Sequence, residues 1–362
     1  MQYAVIMAGG SGQRLWPLSR RNRPKQIIRL FEDQSLLWHC VDRVKGIFGA
    51  EQILVVTNAE YADEVHKHLP EIPMENILGE PVGRDTANAI GLAATVLNLR
   101  GPDHVMAVFS ADQLIEPVEP LQNAVKTSLA FLETHAEALF TFGIKATWAN
   151  TGLGYLKRGE NADGDGNTVF AVEAFREKPN KSTAHKYIRS GQYCWNSGMF
   201  VWRVDTILKQ IELCLPHNAE RLRKIGEAWN TDRRQQVLAE EFKELEKISI
   251  DFGVMEHAEH VYMCELDCHW QDVGSYLTLA ENIGKMDQDD NVTTAGTQVI
   301  SIDSGNNIFL SDDPDHIIAA IHVDDLIVVH TADATLICQR EEAGHLKDLL
   351  NRMEAEGKEK FL

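Results

Sequence analysis

The chain has 362 residues, 44% apolar and 25% charged, which suits a soluble globular protein long enough for two domains. Its 35 Lys and Arg face 54 Asp and Glu, and the net charge of −19 argues against nucleic acid or an anionic membrane surface as the main partner. No stretch approaches the ~20 apolar residues of a membrane span. Met1–Met7 lacks the basic start and length of a signal peptide, and the six cysteines form no CxxC pair, so a cytoplasmic protein with reduced thiols is expected.

Strands and helices alternate along the first half. "YAVIM" (3–7), "ILVVT" (53–57), "VMAVFS" (105–110) and "ALFTFGI" (138–144) read as buried strands. Between them, helical periodicity covers 36–47, 60–68, 85–99 and 117–133, with Asp85 or Thr86 opening the third helix. This βα alternation predicts a largely parallel sheet covered on both faces. Residues 154–203 change to short strands with turns rich in Gly, Asn and Asp. Helices follow over 205–242, then strand 261–266 and a helix near 273–280. From 291 to 338 come five short apolar β segments, and a last helix spans 341–356. The polar "KMDQDDN" marks a boundary, giving domains 1–287 and 288–362. No firm sequence repeat is visible.

The first strand runs into "MAGGSGQRLWPLSRRNRPKQ", where glycines precede Arg14, Arg20, Arg21, Arg23 and Lys25. A Walker loop needs a Lys-Ser or Lys-Thr after its glycines, and a dinucleotide fingerprint needs a third glycine at 15, where Leu stands. What remains is a loop whose backbone N–H groups can meet an anion such as a nucleoside triphosphate. "FSADQL" places Asp112 past the carboxyl end of a buried strand, the edge where open α/β sheets bind ligands. "HWQDVGSY" places Asp272 before a Gly-Ser that can open a helix. Two carboxylates plus phosphate oxygens suit Mg²⁺; taken alone, each aspartate equally suits a turn or helix cap. "GEPVGRDTANA" (79–89) brings Glu80, Gly83, Arg84 and Thr86 to a helix start, and one carboxylate can accept from both adjacent donors of guanine. "FREKP" and "WNSGMF" add Glu177, Lys178 and Asn196, suited to sugar hydroxyls and a sugar phosphate, or singly to surface pairs and turns.

In this order, "AGGSGQRLWPLSR" with "PKQ", "GEPVGRDTA", "FSADQLI", "FREKP", "WNSGMFVW", "SIDFGVME" and "WQDVGSY" resemble the sugar-nucleotide pyrophosphorylases, most closely the bacterial mannose-1-phosphate guanylyltransferases. The resemblance implies an α/β fold, with a Rossmann-like mixed-sheet nucleotidyltransferase domain and a small C-terminal β-helix-like domain that serves in homodimer contacts. It implies transfer of GMP from GTP to mannose 1-phosphate, with Mg²⁺ on Asp112 and Asp272. Gly9, Gly10, Ser11, Gly12 and Arg14 would cradle the phosphates and Lys25 would steady them, making Arg14, Lys25, Asp112 and Asp272 the catalytic set. Glu80, Gly83, Arg84 and Thr86 would form the base segment, and Gly154, Glu177, Lys178 and Asn196 the sugar-phosphate side. The chain departs from the family at Asp85 and Asn88, where the pattern has Asn and Pro, and at Gln113, where His is frequent. An added carboxylate at 85 would repel a triphosphate unless it faces metal, base or solvent. The isomerase domain of longer bifunctional relatives is not expected. Other nucleotide and sugar pairs, ATP or dTTP with glucose 1-phosphate, stay open, as does a non-catalytic sugar-nucleotide sensor.

Overall fold

The structure is a computed structural model that describes residues 1–10, 12–31, 34–166, 168–283, 285–294 and 296–362. The chain forms two compact units, neither contiguous in sequence. The first comprises Met1–Gly9, Cys40–Ala111 and Ile115–Trp270; the second comprises Gly10–His39, Asp112–Leu114 and Gln271–Leu362.

The first unit is built on a nine-stranded sheet. Across it lie Ile77–Glu80, Ile53–Asn58, Gln2–Met7, Val105–Ser110, Tyr193–Arg203, Leu139–Lys145, Val261–Leu266, Phe170–Arg176 and Tyr155–Asn161. The first four pair in parallel, as the βα alternation predicts. Tyr193–Arg203 then runs antiparallel to both its main neighbours, so the sheet is mixed rather than largely parallel. Parallel pairing needs long crossovers, and the turn-linked strands between 155 and 203 are free of that constraint. The central strands are buried on both faces because helices cover them. The helix Thr86–Arg100 is buried over most of its length, and its small residues admit close neighbours: a Cβ on Gly91 would lie 2.5 Å from Leu222 Cδ1.

The second unit is a stack of short parallel strands. Val292, Ile308 and Ile327 align on one face, and Gln298–Ile302 lies parallel to Ile317–Ile321 on another. Asp290, Asn306 and Asp325 occupy equivalent corners with φ of 59°, 55° and 59°. Beside them the buried Asn307 donates its backbone N–H and its side-chain amide to Asn291 Oδ1, at 3.1 and 2.9 Å. It passes the pattern on by donating to Val323 O and accepting from Leu326 N, each at 2.9 Å. The coils are thus a structural repeat, with steps of 16 and 19 residues. Unequal steps and changing side chains conceal it in the sequence.

The glycine-rich segment belongs to this second unit. Leu15, Trp16 and Leu18 share a core with Tyr276, Ile308, Ile327, Leu346 and Leu350. The Tyr276 hydroxyl donates to Leu15 O at 2.7 Å, and Trp16 Nε1 donates to Phe361 O at 2.6 Å.

Candidate active site

Gly10 and Gly12 both take positive φ, 97° and 58°. A Cβ on Gly12 would stand 2.7 Å from Lys25 Cβ and 2.9 Å from its backbone nitrogen, so only glycine lets the loop pass this close to Lys25. Ser11 lies outside the described residues. Of the basic run, Arg20, Arg21 and Arg23 are drawn to Asp333, Glu354 and Asp312, at 2.6, 2.8 and 3.6 Å. Those three arginines serve the second unit's own packing. Arg14 differs: it is exposed and meets no partner among the described residues.

Lys25 Nζ lies 2.8 Å from Asp112 Oδ2 and 3.2 Å from Val273 O. An ammonium carries three donors, so one is left for a further acceptor. Val273 N donates to Asp112 O at 2.9 Å, which brings Asp272 and Asp112 side by side along the chain despite their distance in sequence. Two carboxylates with no third acidic, His or Cys ligand among the described residues suit a hard ion that keeps water and phosphate oxygens around it, as Mg²⁺ does.

In the first unit Glu80 closes the strand Ile77–Glu80 and is 5% exposed. Its Oε1 meets no hydrogen-bond donor among the described residues. Its Oε2 would be 3.3 Å from a Cβ on Gly9. Burial, and then the charge of Asp85, raise its pKa to about 8. Asp85 itself is exposed with φ 70°, and its carboxylate accepts from Thr86 N at 2.8 Å, capping the helix. The added carboxylate therefore faces solvent. Thr86 Oγ1 accepts from Ile250 N at 2.9 Å. Gly83 is exposed with open space beside it. Arg84 donates to Lys243 O, so its guanidinium ties the segment to that turn. Asn88 is buried and donates to Arg84 O and Glu246 O at 2.6 and 2.8 Å, and accepts from Asn218 Nδ2 at 2.8 Å. These bonds account for an amide where the family has proline.

Gly154, Glu177 and Asn196 come together in the same unit. A Cβ on Gly154 would stand 2.4 Å from Glu177 Oε2 and 3.3 Å from Asn196 Cβ. Glu177 is 6% exposed in its side chain and pairs with Lys178 at 2.8 Å. It is no surface residue, and Lys178 holds φ 45°, a strained angle of the kind that collects at functional sites. Asn196 sits inside a long strand rather than a turn; the strand is interrupted after it, with Gly198 at φ 71°. The stretch "SIDFGVME" contributes a residue to this cluster that no motif marks. Its Asp251 accepts from Asn196 Nδ2 at 2.8 Å. A carboxylate between the apolar Ile250 and Phe252 is the signal available in the sequence.

Residues 3–288 match the nucleotidyl transferase family model, and 297–353 match that of the mannose-phosphate isomerase/GMP-like β-helix domain. A mannose-1-phosphate guanylyltransferase of Escherichia coli K12 is 35% identical over 98% of this chain and 74% of its own length. One of Salmonella typhimurium is 34% identical over 99% of this chain and 73% of its own. The chain belongs to the mannose-1-phosphate guanylyltransferase family. Among solved structures, one named as a mannose-1-phosphate geranyltransferase, from Thermus thermophilus, superposes with a TM-score of 0.85 at 29% identity, covering 98% of this chain and 99% of that one. The family thus extends over both the mixed-sheet and the β-helix portions. No helix among the described residues is long and apolar enough to cross a membrane.

Proposed function

We propose that the protein transfers GMP from GTP to mannose 1-phosphate, releasing pyrophosphate. The observation that carries this reading is Glu80: a buried carboxylate at a strand end, with one oxygen lacking any donor among the described residues. Guanine's ring N–H and exocyclic amine are two adjacent donors that such a group satisfies. The relatives named for this reaction support the same pair of substrates.

The nucleophile is a phosphate oxygen of the sugar phosphate, ionised at neutral pH, so no general base is needed. It attacks the α-phosphorus, the bond from that phosphorus to the bridging oxygen breaks, and the electron pair leaves on pyrophosphate. Catalysis rests on positioning and charge stabilisation. Gly9, Gly10 and Gly12 bring backbone donors to the phosphates. Arg14 and the remaining donor of Lys25 offset charge on the leaving pyrophosphate. Gly154, Glu177, Lys178 and Asn196 hold the sugar phosphate. Asp112 and Asp272 would hold Mg²⁺, whose positive charge would draw the phosphate oxygens together. The six cysteines, none of them in a disulfide among the described residues, support a reducing cytoplasm as its compartment. A homodimer is supported by the outward face of the two strands Gln298–Ile302 and Ile317–Ile321, where Ile300, Ile302, Ile317 and Ile321 are 49–62% exposed.

The test is pyrophosphate release across four nucleoside triphosphates and several sugar 1-phosphates. GTP with mannose 1-phosphate is expected to be fastest. A preference for dTTP or ATP with glucose 1-phosphate would replace this specificity, and binding without turnover would leave a sensor.

A further inference from the structure

We propose that Asp251 is a positioning residue for the sugar-phosphate side, holding one hydrogen of the Asn196 amide so that the other stays aimed at the substrate. This rests on Asn196 belonging to that side, as read above. The geometry around Asn196 leaves its amide one orientation. The backbone N–H of Gly198, which can only donate, lies 3.3 Å from Asn196 Oδ1, and the Thr141 hydroxyl lies 2.9 Å from the same oxygen. The amide nitrogen must therefore point the other way, where Asp251 Oδ1 accepts from it at 2.8 Å. An amide nitrogen has two hydrogens. One is committed to Asp251, and the other is held in a fixed direction.

Asp251 is itself well placed to hold it. The preceding residue, Ile250, donates its N–H to Thr86 Oγ1 at 2.9 Å, and Glu256 N donates to Asp251 O at 3.0 Å. The backbone carrying the carboxylate is thus fastened on one side to the helix start of the base segment. On the other, the side chain reaches the sugar segment. The residue is only half-buried, and Glu177 and Lys178 are its charged neighbours. Those are two of the groups assigned to the sugar phosphate. No packing requirement asks for a carboxylate between them; an acceptor aimed at Asn196 does.

The test compares Asp251→Ala with Asp251→Asn, using whichever nucleotide and sugar 1-phosphate the wild type turns over. Failure of the specificity reading would then appear in the wild type, and failure of this role only in the variants. Asp251→Ala removes the acceptor and is expected to raise KM for the sugar phosphate about tenfold, with KM for the nucleotide changed less than about twofold. Asp251→Asn keeps an acceptor oxygen and is expected to restore the sugar-phosphate KM to within about threefold of wild type. Circular dichroism checks folding of both. An unchanged sugar-phosphate KM in a folded Asp251→Ala, or an equal rise in both KM values, would overturn the proposal. Should Asp251→Ala not fold, Asp251→Asn decides alone: a sugar-phosphate KM raised tenfold or more would overturn it.

Discussion

Burial and the neighbouring Asp85 lift the Glu80 pKa from 4.5 to about 8, and this has two consequences of opposite sign. For stability, the folded chain holds a proton on Glu80 that the unfolded chain releases above 4.5. The stabilising contribution is complete below pH 4.5 and is lost as pH rises through 8. Glu80→Gln carries no such proton, so it is expected to melt above the wild type at pH 8.5 and close to it at pH 5. For binding, the ionised carboxylate is the form that accepts both guanine donors. GTP affinity should therefore rise with pH by up to about tenfold per unit below 8, and level off above. In Glu80→Gln that rise should vanish, and GTP should lose more than ATP. Titration calorimetry with both nucleotides at several pH values, beside melting curves, checks both signs. Equal losses for the two nucleotides would mean Glu80 does not read the base. At the same scale, Asp112→Asn and Asp272→Asn should each cost about 10²-fold in turnover. The double variant should cost little more, since groups that act as a unit are non-additive. Turnover against Mg²⁺ concentration tests this, and additive losses with an unchanged Mg²⁺ requirement would assign the two aspartates separate work.

Among the elements, the stacked coils of the second unit share one amide that bonds from coil to coil. Asn307 is fully buried and joins three successive coils through Asn291, Val323 and Leu326. Asn307→Ala would leave the Leu326 N–H and the Val323 carbonyl without their partner, and would leave the Asn291 amide oxygen only the backbone N–H of residue 307. Each such group costs about 1–3 kcal/mol, so a loss of several kcal/mol is expected, measured by urea denaturation. The helix Thr86–Arg100 shows the same economy at its start. Asp85 caps it, and Asn88 fastens its first turn by donating to Arg84 O and Glu246 O. Both departures look troubling beside a triphosphate when read as sequence. In place, one faces water and the other is sealed into the base of the helix.

For the whole molecule, truncating the second unit would confuse its packing role with the proposed dimer face. Removing the chain after Lys285 would strip the exposed isoleucine face, and also the core that holds Leu15, Trp16 and Leu18. A point change separates them. Ile321→Glu lies on the outward face, 62% exposed, and is expected to leave folding and the glycine-rich loop intact. If that face joins two copies, light scattering should show a monomer, because a charge placed in an apolar contact is strongly disfavoured. A dimer unchanged by Ile321→Glu would move the interface elsewhere.

The sequence alone determined most strands, most helices and the order of the motifs, because these rest on local signals: buried apolar runs, helical periodicity and glycines in tight turns. It also determined the family, since seven short stretches keep their order. What it did not contain was which distant groups meet. The arginines after the glycine-rich loop look like one anion site, yet Arg20, Arg21 and Arg23 pair with acids over 280 residues away in the chain, which leaves Arg14 and Lys25 as the proposed phosphate ligands. Lys25 finds Asp112, and Asp251 finds Asn196, through strand order and backbone register that no local pattern records. The β-helix repeat is hidden in the sequence for a related reason. Its rungs are set by left-handed corners and shared amides, which tolerate Asp or Asn at unequal steps, whereas a sequence repeat would need the same residues at the same step. Pairing across long separations depends on the packed chain, so only the tertiary structure could decide it.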